Sequence, residues 1–301
     1  MSKPCHEMGE IFAVRRVGAY TEFTVIAPGI ATGFRPGHFV AVAVGGPDTG
    51  MILRRSFALY GANTTEGYAG TVQFVVAAQG PGTRWLVQRT VGEKLDLVGP
   101  LGNPFSLPAV SDSGPVPAVL VGGGYGAAPL LPLADALQKQ GSHVEIILGA
   151  ASADRLFGEL AAKRLVGQVT VTTDDGSAGQ QGWVTDALAA TIERVGATAP
   201  DGARAGGARP IVYACGPMGM LRAVGDIARA HGIRAQVSVE EAMACGIGVC
   251  MTCVLPVVGD DGKSRFLRSC VDGPTFDAER VRWADVGALP ADLVGADAMG
   301  H

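Results

Sequence analysis

The chain has 301 residues, of which 48% are hydrophobic and 44 are glycine, and its formal net charge is −4. This composition predicts two or three folded domains with buried cores and excludes a disordered protein. The slightly acidic balance also argues against a nucleic-acid-binding protein, which needs a basic surface to contact phosphates.

The N-terminus, Met-Ser-Lys-Pro-Cys-His-Glu, has no basic segment, apolar run or cleavage site typical of a signal peptide, so we expect a cytoplasmic protein. Residues 113–134 contain no Asp, Glu, Lys or Arg and resemble a membrane helix in hydropathy alone. Gly122 to Gly124 and two prolines, Pro129 and Pro132, interrupt this stretch and favour a loop that leads into a helix. We therefore expect no membrane span.

Residues 1–108 predict a small antiparallel β-barrel. Short β-rich runs alternate there with Gly/Pro turns, and helical patterns are scarce. The predicted strands cover residues 11–17, 21–26, 38–44 and 70–78.

Residues 109–238 predict an α/β domain with a parallel sheet. An apolar strand from Pro117, a glycine loop, a helix over 128–140 and a strand over 143–148 make one βαβ unit. Strands over 169–173 and 210–214, with a helix over 182–195 between them, extend the sheet. Residues 196–209 are rich in Ala and Gly and predict a flexible surface excursion.

Two segments of the α/β domain predict a nucleotide site. Gly122, Gly123 and Gly124 follow a buried strand and precede a helix, where backbone N–H groups and the helix N-terminus favour a pyrophosphate. Close packing is the alternative role for such glycines. The segment 212–220 ends another strand at the same expected sheet edge, where open α/β sheets bind ligands. Cys215 within it is therefore predicted to face the cofactor rather than a metal.

The barrel contains two candidate phosphate-binding motifs. Leu53-Arg-Arg-Ser-Phe-Ala-Leu combines cations that can hold a phosphate with an extended backbone that can hydrogen-bond a flat ring system. Alone, this motif would be explained better by two solvated arginines. The second motif, residues 78–86, follows a strand and predicts a nest of free N–H groups beside the Thr83 hydroxyl.

Four C-terminal cysteines, Cys245, Cys250, Cys253 and Cys270, predict a [2Fe–2S] cluster. The first three are separated by four and then two residues, which is the plant-type ligand spacing. Gly246 and Gly248 allow the backbone angles that bring N–H groups close to the sulfurs. Zinc usually requires two Cys-x2-Cys or Cys/His pairs, and disulfides require an oxidising compartment, so both alternatives fit less well.

With these motifs in this order, the chain resembles the electron-transfer subunits of class B dihydroorotate dehydrogenase, a branch of the ferredoxin–NADP reductase superfamily. The most specific match lies in residues 238–253 and in Cys270-Val-Asp-Gly-Pro-Thr-Phe. The resemblance implies FAD on the barrel, NAD on the second domain, and a [2Fe–2S] domain over 239–283 that faces an FMN-containing catalytic subunit. It further implies a heterotetramer that oxidises dihydroorotate in pyrimidine (UMP) biosynthesis.

Carried over position by position, the resemblance implies that Arg55 meets the FAD phosphates and that Phe57 lies beside the isoalloxazine. Ser56 and Ala58 complete this motif; the family often has Ser or Thr at Ala58, whose hydroxyl can hydrogen-bond flavin N5. The remaining implied positions are Val76, Ala77, Gly82 and Thr83 for FAD, and Gly122, Gly123, Gly124, Asp174, Gly176, Cys215 and Gly216 for the nicotinamide nucleotide.

Electron counting predicts the order of the three redox groups. A cluster passes single electrons whereas nicotinamide takes a hydride, so the flavin must stand between them, and the hydride step needs no acidic or basic side chain. Glu240 and Glu241 precede the cluster loop and are either close to the flavin or solvated carboxylates at a helix start. A hydrogen bond from a ribose hydroxyl to Asp154 would favour NAD, whereas a contact between Arg155 and a 2′-phosphate would favour NADP. The resemblance favours NAD.

Other functions share parts of this pattern. They are the small subunit of an NADH-dependent ferredoxin–NADP reductase or sulfide dehydrogenase, a stand-alone oxygenase reductase, and a redox sensor without turnover. The four cysteines and the segment after Cys270 favour the dihydroorotate branch. Cys5 is expected to be a free thiol, and residues 284–301 a loosely held tail.

Overall fold

The computed structural model describes residues 3–46, 49–64, 70–109, 114–197, 209–290 and 292–294. Most of the expected surface excursion, residues 198–208, lies outside the described residues. In the described part, no helix is both long enough and apolar enough to cross a bilayer.

The N-terminal region forms the predicted antiparallel barrel. Six strands close in the order β1-β2-β5-β4-β3-β6. They are β1 Cys5–Val17, β2 Tyr20–Ile26, β3 Phe39–Val42, β4 Arg55–Asn63, β5 Thr71–Ala77 and β6 Lys94–Leu101, accompanied by the short helices α1 Pro28–Gly33 and α2 Pro81–Leu86. The sequence pattern did not reveal β6 and gave only a β-like run for β4.

Alternation along β5 shows how the barrel separates its two faces. Val72, Phe74 and Val76 are fully buried in the barrel core, where Phe74 stacks between Phe23 and Phe57 with ring centroids 5.5 and 5.4 Å away. The odd-numbered Val75 faces the second domain instead and packs with its core. A strand with a two-residue period thus fills the barrel with one face and lines the domain junction with the other.

The second region forms the predicted parallel sheet. Its elements are β7 Ala118–Gly123, α3 Leu130–Lys139, β8 Val144–Ala150, α4 Glu159–Leu165, β9 Gln168–Thr173, β10 Gln180–Gln181, α5 Val184–Ala197, β11 Ile211–Cys215, α6 Met218–Ala230 and β12 Ala235–Ser238. Buried side chains cover both faces of this sheet, as expected when helices flank parallel strands.

The strand order creates a ligand-binding edge between β7 and β11. From β7 the chain builds outward through β8 and β9 on one side, and then returns to add β11 and β12 on the other. Gly122 at the end of β7 pairs with Cys215 at the end of β11. Such a reversal leaves a crevice at the carboxyl ends of the strands, so both nucleotide motifs reach the same place.

The C-terminal segment is attached to both other regions. Strands β13 Val254–Val258 and β14 Ser264–Arg268 form a hairpin, while β15 Thr275–Asp277 joins the large sheet antiparallel to β12. Asn103 of the barrel region donates side-chain hydrogen bonds to the carbonyl oxygens of Val271 and Asp272 at 3.2 and 3.0 Å. The cysteine segment is therefore fixed against both the barrel and the sheet.

The described part of residues 284–301 differs from the expected loose tail. Arg282 Nη1 donates to Asp292 Oδ1 at 2.7 Å, Ser264 Oγ donates to Asp292 Oδ2 at 3.0 Å, and the Val294 N–H donates to the Ser264 carbonyl at 2.9 Å. The sequence could not reveal these contacts because they depend on Ser264 of the distant β14 strand and on Arg282 being brought beside the tail.

Candidate functional site

The four predicted cluster ligands lie together as free thiols. Cys245 is a neighbour of Cys250, and Cys253 of Cys270, each close enough to affect the other's pKa, so the thiols form two neighbouring pairs. In the described residues, no three His, Cys, Asp or Glu side chains converge as they would around a single metal ion. Two thiol pairs are the donor set that a two-iron cluster requires, with two thiolates for each iron.

Backbone N–H groups of the cysteine loop point at a sulfur. The N–H groups of Ile247 and Val249 donate to Cys245 Sγ at 3.5 and 3.3 Å. Burial raises the pKa of the Cys245 thiol, but these N–H groups and that of Cys250 together lower it below its usual value. The loop thus favours the thiolate, which is the form that binds iron.

Positive φ angles and one arginine shape this loop. Gly246 and Gly248 have φ of 71° and 85°, and Met251 has φ of 58° although it carries a side chain. The left-handed region costs a non-glycine residue about 1–2 kcal/mol. Arg268 Nη1 donates to the Gly248 carbonyl at 3.0 Å, and its Nε lies 3.3 Å from Asp272, so one guanidinium ties the loop to the segment that carries Cys270.

The inner side of the cysteine loop packs on the outer surface of the barrel. Cys253 and Cys270 are 2% and 1% exposed and belong to a small core with Phe39, Ala41 and Leu101. A Cβ built on Gly246 would lie 3.5 Å from Ala41 Cβ and 3.7 Å from Ser56 Oγ. The cluster site therefore abuts β3 and β4, the strands of the flavin motif.

A cavity of about 560 Å³ is lined by Ser56 and lies between the barrel and the second domain. Predicted FAD positions line it, namely Arg55, Ser56, Phe57, Ala58, Ala77 and Thr83, together with Cys215 and Gly216. Its size falls within the range of small-molecule and cofactor sites.

The two adjacent arginines have different roles. Arg54 Nη2 donates to the Asp96 carboxylate at 2.8 Å and Nη1 donates to the Asp96 carbonyl at 3.0 Å. These bonds connect the residue before β4 to strand β6. Arg55 lines the cavity and donates only to backbone carbonyls, those of Leu53 and Arg54 at 2.7 and 3.2 Å. Among the described residues, Arg55 is therefore the arginine that lines the cavity and has no anionic partner.

Two implied FAD positions, Val76 and Gly82, are not among the lining residues, and Thr83 lines the cavity but binds part of the expected nest. The Val76 side chain is buried in the barrel, and Val75 and Ala77 line the cavity in its place. Gly82 lies behind Arg55, since a Cβ there would lie 3.1 Å from Arg55 Nε. Thr83 Oγ1 accepts the N–H groups of Gln79 and Gly80, each at 3.0 Å, so these two groups of the expected nest are already bonded.

A second cavity of about 730 Å³ opens at the crevice between β7 and β11. Gly123, Gly124 and Asp174 line it, as do Arg155 and Trp183. A Cβ on Gly123 would lie 2.7 Å from Met220 Sδ and 2.9 Å from Pro217 Cδ, so only glycine fits this wall. Backbone exposed by glycine at such an edge can approach a pyrophosphate closely.

The other implied nucleotide positions do not line this second cavity. Gly122 packs inside the domain, because its Cβ would lie 2.8 Å from Ala127 Cα. Gly176 forms a turn with φ of 74° after β9. Cys215 and Gly216 line the flavin cavity instead, where the two sites meet.

Gln79, Tyr125 and Glu240 line both cavities and so form their shared wall. The Tyr125 hydroxyl donates a hydrogen bond to Glu240 Oε1. Burial raises the pKa of the nearby Cys215 thiol to about 12, although a hydrogen bond with Ser238 acts to lower it. The protonated thiol is thus a neutral group at the junction.

Glu240 and Glu241 do not begin a helix; both lie in an irregular segment between β12 and the cysteine loop. Both line the flavin cavity, which agrees with the expectation that they approach the flavin. Sequence reasoning gave no role to Tyr125 or Trp183. Nothing in their local pattern marks them, because each reaches a cavity only through the packing of distant segments.

The residues present fit all three groups. Four paired thiols with N–H donors suit a [2Fe–2S] cluster, and an anion-free guanidinium beside an extended strand suits a flavin dinucleotide. The glycine-walled crevice suits a nicotinamide nucleotide. The chain therefore has sites for [2Fe–2S], FAD and NAD that share walls in that order.

Comparison with known proteins agrees with this arrangement. The family model described as "Iron-sulfur cluster binding domain of dihydroorotate dehydrogenase B" matches residues 240–282, and "Oxidoreductase NAD-binding domain" matches residues 120–226. The "Dihydroorotate dehydrogenase B (NAD(+)), electron transfer subunit" of Geobacillus thermodenitrificans is 35% identical over 86% of this chain and 91% of its own length. The probable electron transfer subunit of Methanopyrus kandleri is 34% identical over 87% and 86%.

Solved structures share the fold. An NADH-dependent reduced ferredoxin–NADP oxidoreductase, described in connection with flavin-based electron bifurcation, is similar with a TM-score of 0.76 and 28% identity over 97% of this chain and 96% of that one. A ferredoxin NADP+ reductase from Neisseria gonorrhoeae with bound FAD and NADP has a TM-score of 0.57 and 16% identity over 79% and 93%. With relatives above 30% identity along most of its length, the chain belongs to the family of dihydroorotate dehydrogenase B (NAD+) electron transfer subunits.

Proposed function

We propose that the chain carries electrons from dihydroorotate, oxidised by an FMN-containing catalytic subunit, to NAD+ in pyrimidine biosynthesis. The observation that carries this proposal is the serial arrangement of sites. Ser56 lies between the cysteine loop and the flavin cavity, and Tyr125 and Glu240 lie between the flavin and nicotinamide cavities. An electron-transfer subunit needs this order of neighbouring sites.

The chain's own residues supply binding and orientation. Arg55 would hold the FAD phosphates, and the β4 backbone beside Ser56 and Ala58 would face the ring system. Gly123 and Gly124 would admit the pyrophosphate of NAD. Bound FAD exchanges single electrons with a cluster and hydride with nicotinamide, which explains its central position.

Cys215, Tyr125 and Glu240 shape the junction at which nicotinamide would meet the flavin. Burial raises the pKa of the Tyr125 hydroxyl, and its hydrogen bond to Glu240 raises it further, so the phenol stays protonated at neutral pH. The Cys215 thiol and the Tyr125 phenol are thus neutral groups at this wall, so the hydride step would be left to the two cofactors.

We further propose that the outer face of the cysteine loop docks the catalytic subunit in a heterotetramer. Ile247, Val249 and Met251 are 52%, 77% and 52% exposed around the buried Cys253. Exposed apolar side chains on a loop that covers a redox centre are typical of a surface that binds another protein. This placement would bring the partner's FMN toward the cluster.

Aspartate substitution tests this docking face. Val249→Asp should abolish co-purification with the catalytic subunit while the cluster absorption remains. Val91→Asp, at an exposed valine of the barrel, is the matched control and should leave the complex intact. Unchanged assembly of Val249→Asp would contradict the docking proposal.

Two further expectations complete the proposal. We retain the domain division 1–108, 109–238, 239–283 and 284–301 as an interpretation, supported by the barrel, the sheet and the cysteine segment as separate packing units. A cytoplasmic location is supported by six free cysteines, which a reducing compartment maintains.

A second candidate function follows from the likeness with TM-score 0.76, namely the small subunit of an NADH-dependent ferredoxin–NADP oxidoreductase. The lower identity, 28% against 34–36% for the dihydroorotate dehydrogenase relatives, favours the first function. NADH-dependent reduction of NADP+ by a complex containing the chain would support the second candidate.

A further inference from the structure

Glu241 is a carboxyl group that lines the flavin cavity without a partner. Its side chain is half-buried beside Glu240, Ala242 and Met243. Within the part of the chain that the structure describes, it makes no hydrogen bond or ion pair, whereas Glu240 accepts the Tyr125 hydroxyl. A half-buried carboxyl group with no partner at a cofactor cavity requires an explanation.

The electron balance of the proposed function supplies an explanation for the unpartnered carboxyl group of Glu241. Reduction of NAD+ to NADH takes two electrons and one proton. A [2Fe–2S] cluster delivers electrons alone, so a proton must enter the flavin cavity from another source for each NADH formed. Hydride transfer in the reverse direction brings electrons and proton together, and the proton is released only when the electrons leave for the cluster.

We propose that Glu241 donates this proton when electrons arrive from the cluster and accepts it when electrons leave toward the cluster. The proposal deepens the proposed function and rests on it for the direction of flow. The carboxyl group donates its proton into the cavity and is left as a carboxylate. Its exposed portion then takes up a proton from solvent.

The other titratable and charged groups that face this cavity are unsuited to the task. Arg55 carries a guanidinium, which serves as a hydrogen-bond donor and has no acceptor atom. Burial raises the pKa of Cys215 to about 12, and the Tyr125 hydroxyl and the Glu240 carboxyl group, which also lines the cavity, are bonded to each other. Burial alone raises the pKa of Glu241, which moves its protonation toward neutral pH, where a proton donor works best.

A single-turnover experiment separates the two steps. The purified chain with FAD and cluster is mixed with NADH and an excess of a one-electron acceptor, giving NADH + 2 acceptor(ox) → NAD+ + 2 acceptor(red) + H+. Flavin bleaching reports hydride arrival, and cluster absorbance reports electron departure. In Glu241→Gln we expect unchanged bleaching and electron departure slowed on the order of 100-fold, the lower range for general acid–base catalysis.

The matched control is Glu279→Gln, an exposed carboxyl group far along the chain from the cavity, which should change neither step. A second readout is the infrared carbonyl band of a protonated carboxyl group, which should appear in the native chain as electrons leave toward the cluster and be absent from Glu241→Gln. Equal rates of electron departure in Glu241→Gln and the native chain, or equal slowing of both steps, would overturn the proposal. Since the catalytic subunit is not used, failure to couple with dihydroorotate would affect only the proposed function.

Discussion

The Tyr125 hydroxyl donates a hydrogen bond to Glu240 across the wall between the flavin and nicotinamide cavities. The bond joins the glycine loop after β7 to the segment after β12, two regions 115 residues apart in sequence. The pair therefore forms part of the wall across which a nicotinamide ring would reach the flavin.

Removal of this hydroxyl should ease entry of the dinucleotide. Tyr125→Phe retains the ring and leaves Glu240 free, so the KM for NADH should fall about fivefold, corresponding to one ordinary hydrogen bond of about 1 kcal/mol. Steady-state reduction of a dye by NADH measures this, with FAD content as the control. A rise in KM would show instead that the pair positions the nicotinamide.

Removal of one predicted cluster ligand should eliminate the cluster selectively. Cys250→Ser should abolish the visible absorption of the [2Fe–2S] centre while FAD remains bound, because three thiolates leave one iron incompletely coordinated. Cys5→Ser is the control, since its thiol lies on β1 and donates to the Gly99 carbonyl at 3.4 Å. Retention of a normal reduced [2Fe–2S] EPR signal in Cys250→Ser would refute the ligand assignment.

Arg55 should account for much of the affinity for FAD. Loss of a charge-assisted hydrogen bond costs about 1.5–3 kcal/mol, so Arg55→Ala should weaken FAD binding by roughly 10- to 100-fold, and Arg55→Lys by less. Fluorescence titration of FAD into apoprotein measures the affinity. Arg222→Ala, on the exposed surface of α6, is the control. Equal affinities for the Arg55 and Arg222 variants would place the phosphate contact elsewhere.

Asp174 should disfavour a 2′-phosphate. It lies at the carboxyl end of β9 and lines the nicotinamide cavity, where a carboxylate can bind a ribose hydroxyl but repels phosphate. Asp174→Asn should lower the ratio of kcat/KM for NADH over NADPH on the order of tenfold, equivalent to about 1.4 kcal/mol. The exposed Asp135→Asn on α3 is the control. An unchanged ratio would assign discrimination to another residue.

The buried His38 should make stability depend on pH. It is 3% exposed at the start of β3, and its Nδ1 accepts the Arg35 N–H at 3.0 Å. Burial, reinforced by Arg35, lowers its pKa from 6.5 to about 4. The unfolded chain binds a proton first, so the free energy of unfolding falls as pH drops from 6.5 to 4, by roughly 3 kcal/mol at most.

Denaturant titrations between pH 7 and pH 4 would measure this slope. His38→Asn offers an uncharged acceptor for the Arg35 N–H and should flatten it. Exposed carboxylates that lose their ion pairs also contribute in this range, and they are present in both proteins. A slope that is identical in the two proteins would contradict the assignment to His38.

Sequence patterns predicted the features that depend on local spacing. The cysteine spacing, the strand-glycine-helix order around Gly123 and the alternation of the barrel strands each have a short-range physical cause. The direction of each side chain along a strand was harder to assign. The resemblance implied Val76 as an FAD position, but its side chain points into the barrel, and Val75 and Ala77 line the cavity.

Contacts between distant segments were beyond such patterns. The packing of Gly246 against Ser56 depends on how the cysteine segment docks on the barrel, and the tail contact of Asp292 with Ser264 depends on the hairpin. Tyr125 lies in the glycine loop that the sequence singled out, yet its role appears only when β12 brings Glu240 beside it.

The most direct test of the account is NAD+ reduction by dihydroorotate with the chain and a co-expressed FMN-containing catalytic subunit, each alone and both together. We predict that NADH forms only when both are present and that this activity is lost with Cys250→Ser. NADH formation by the catalytic subunit alone, or none with both chains although the chain reduces dyes from NADH, would contradict it.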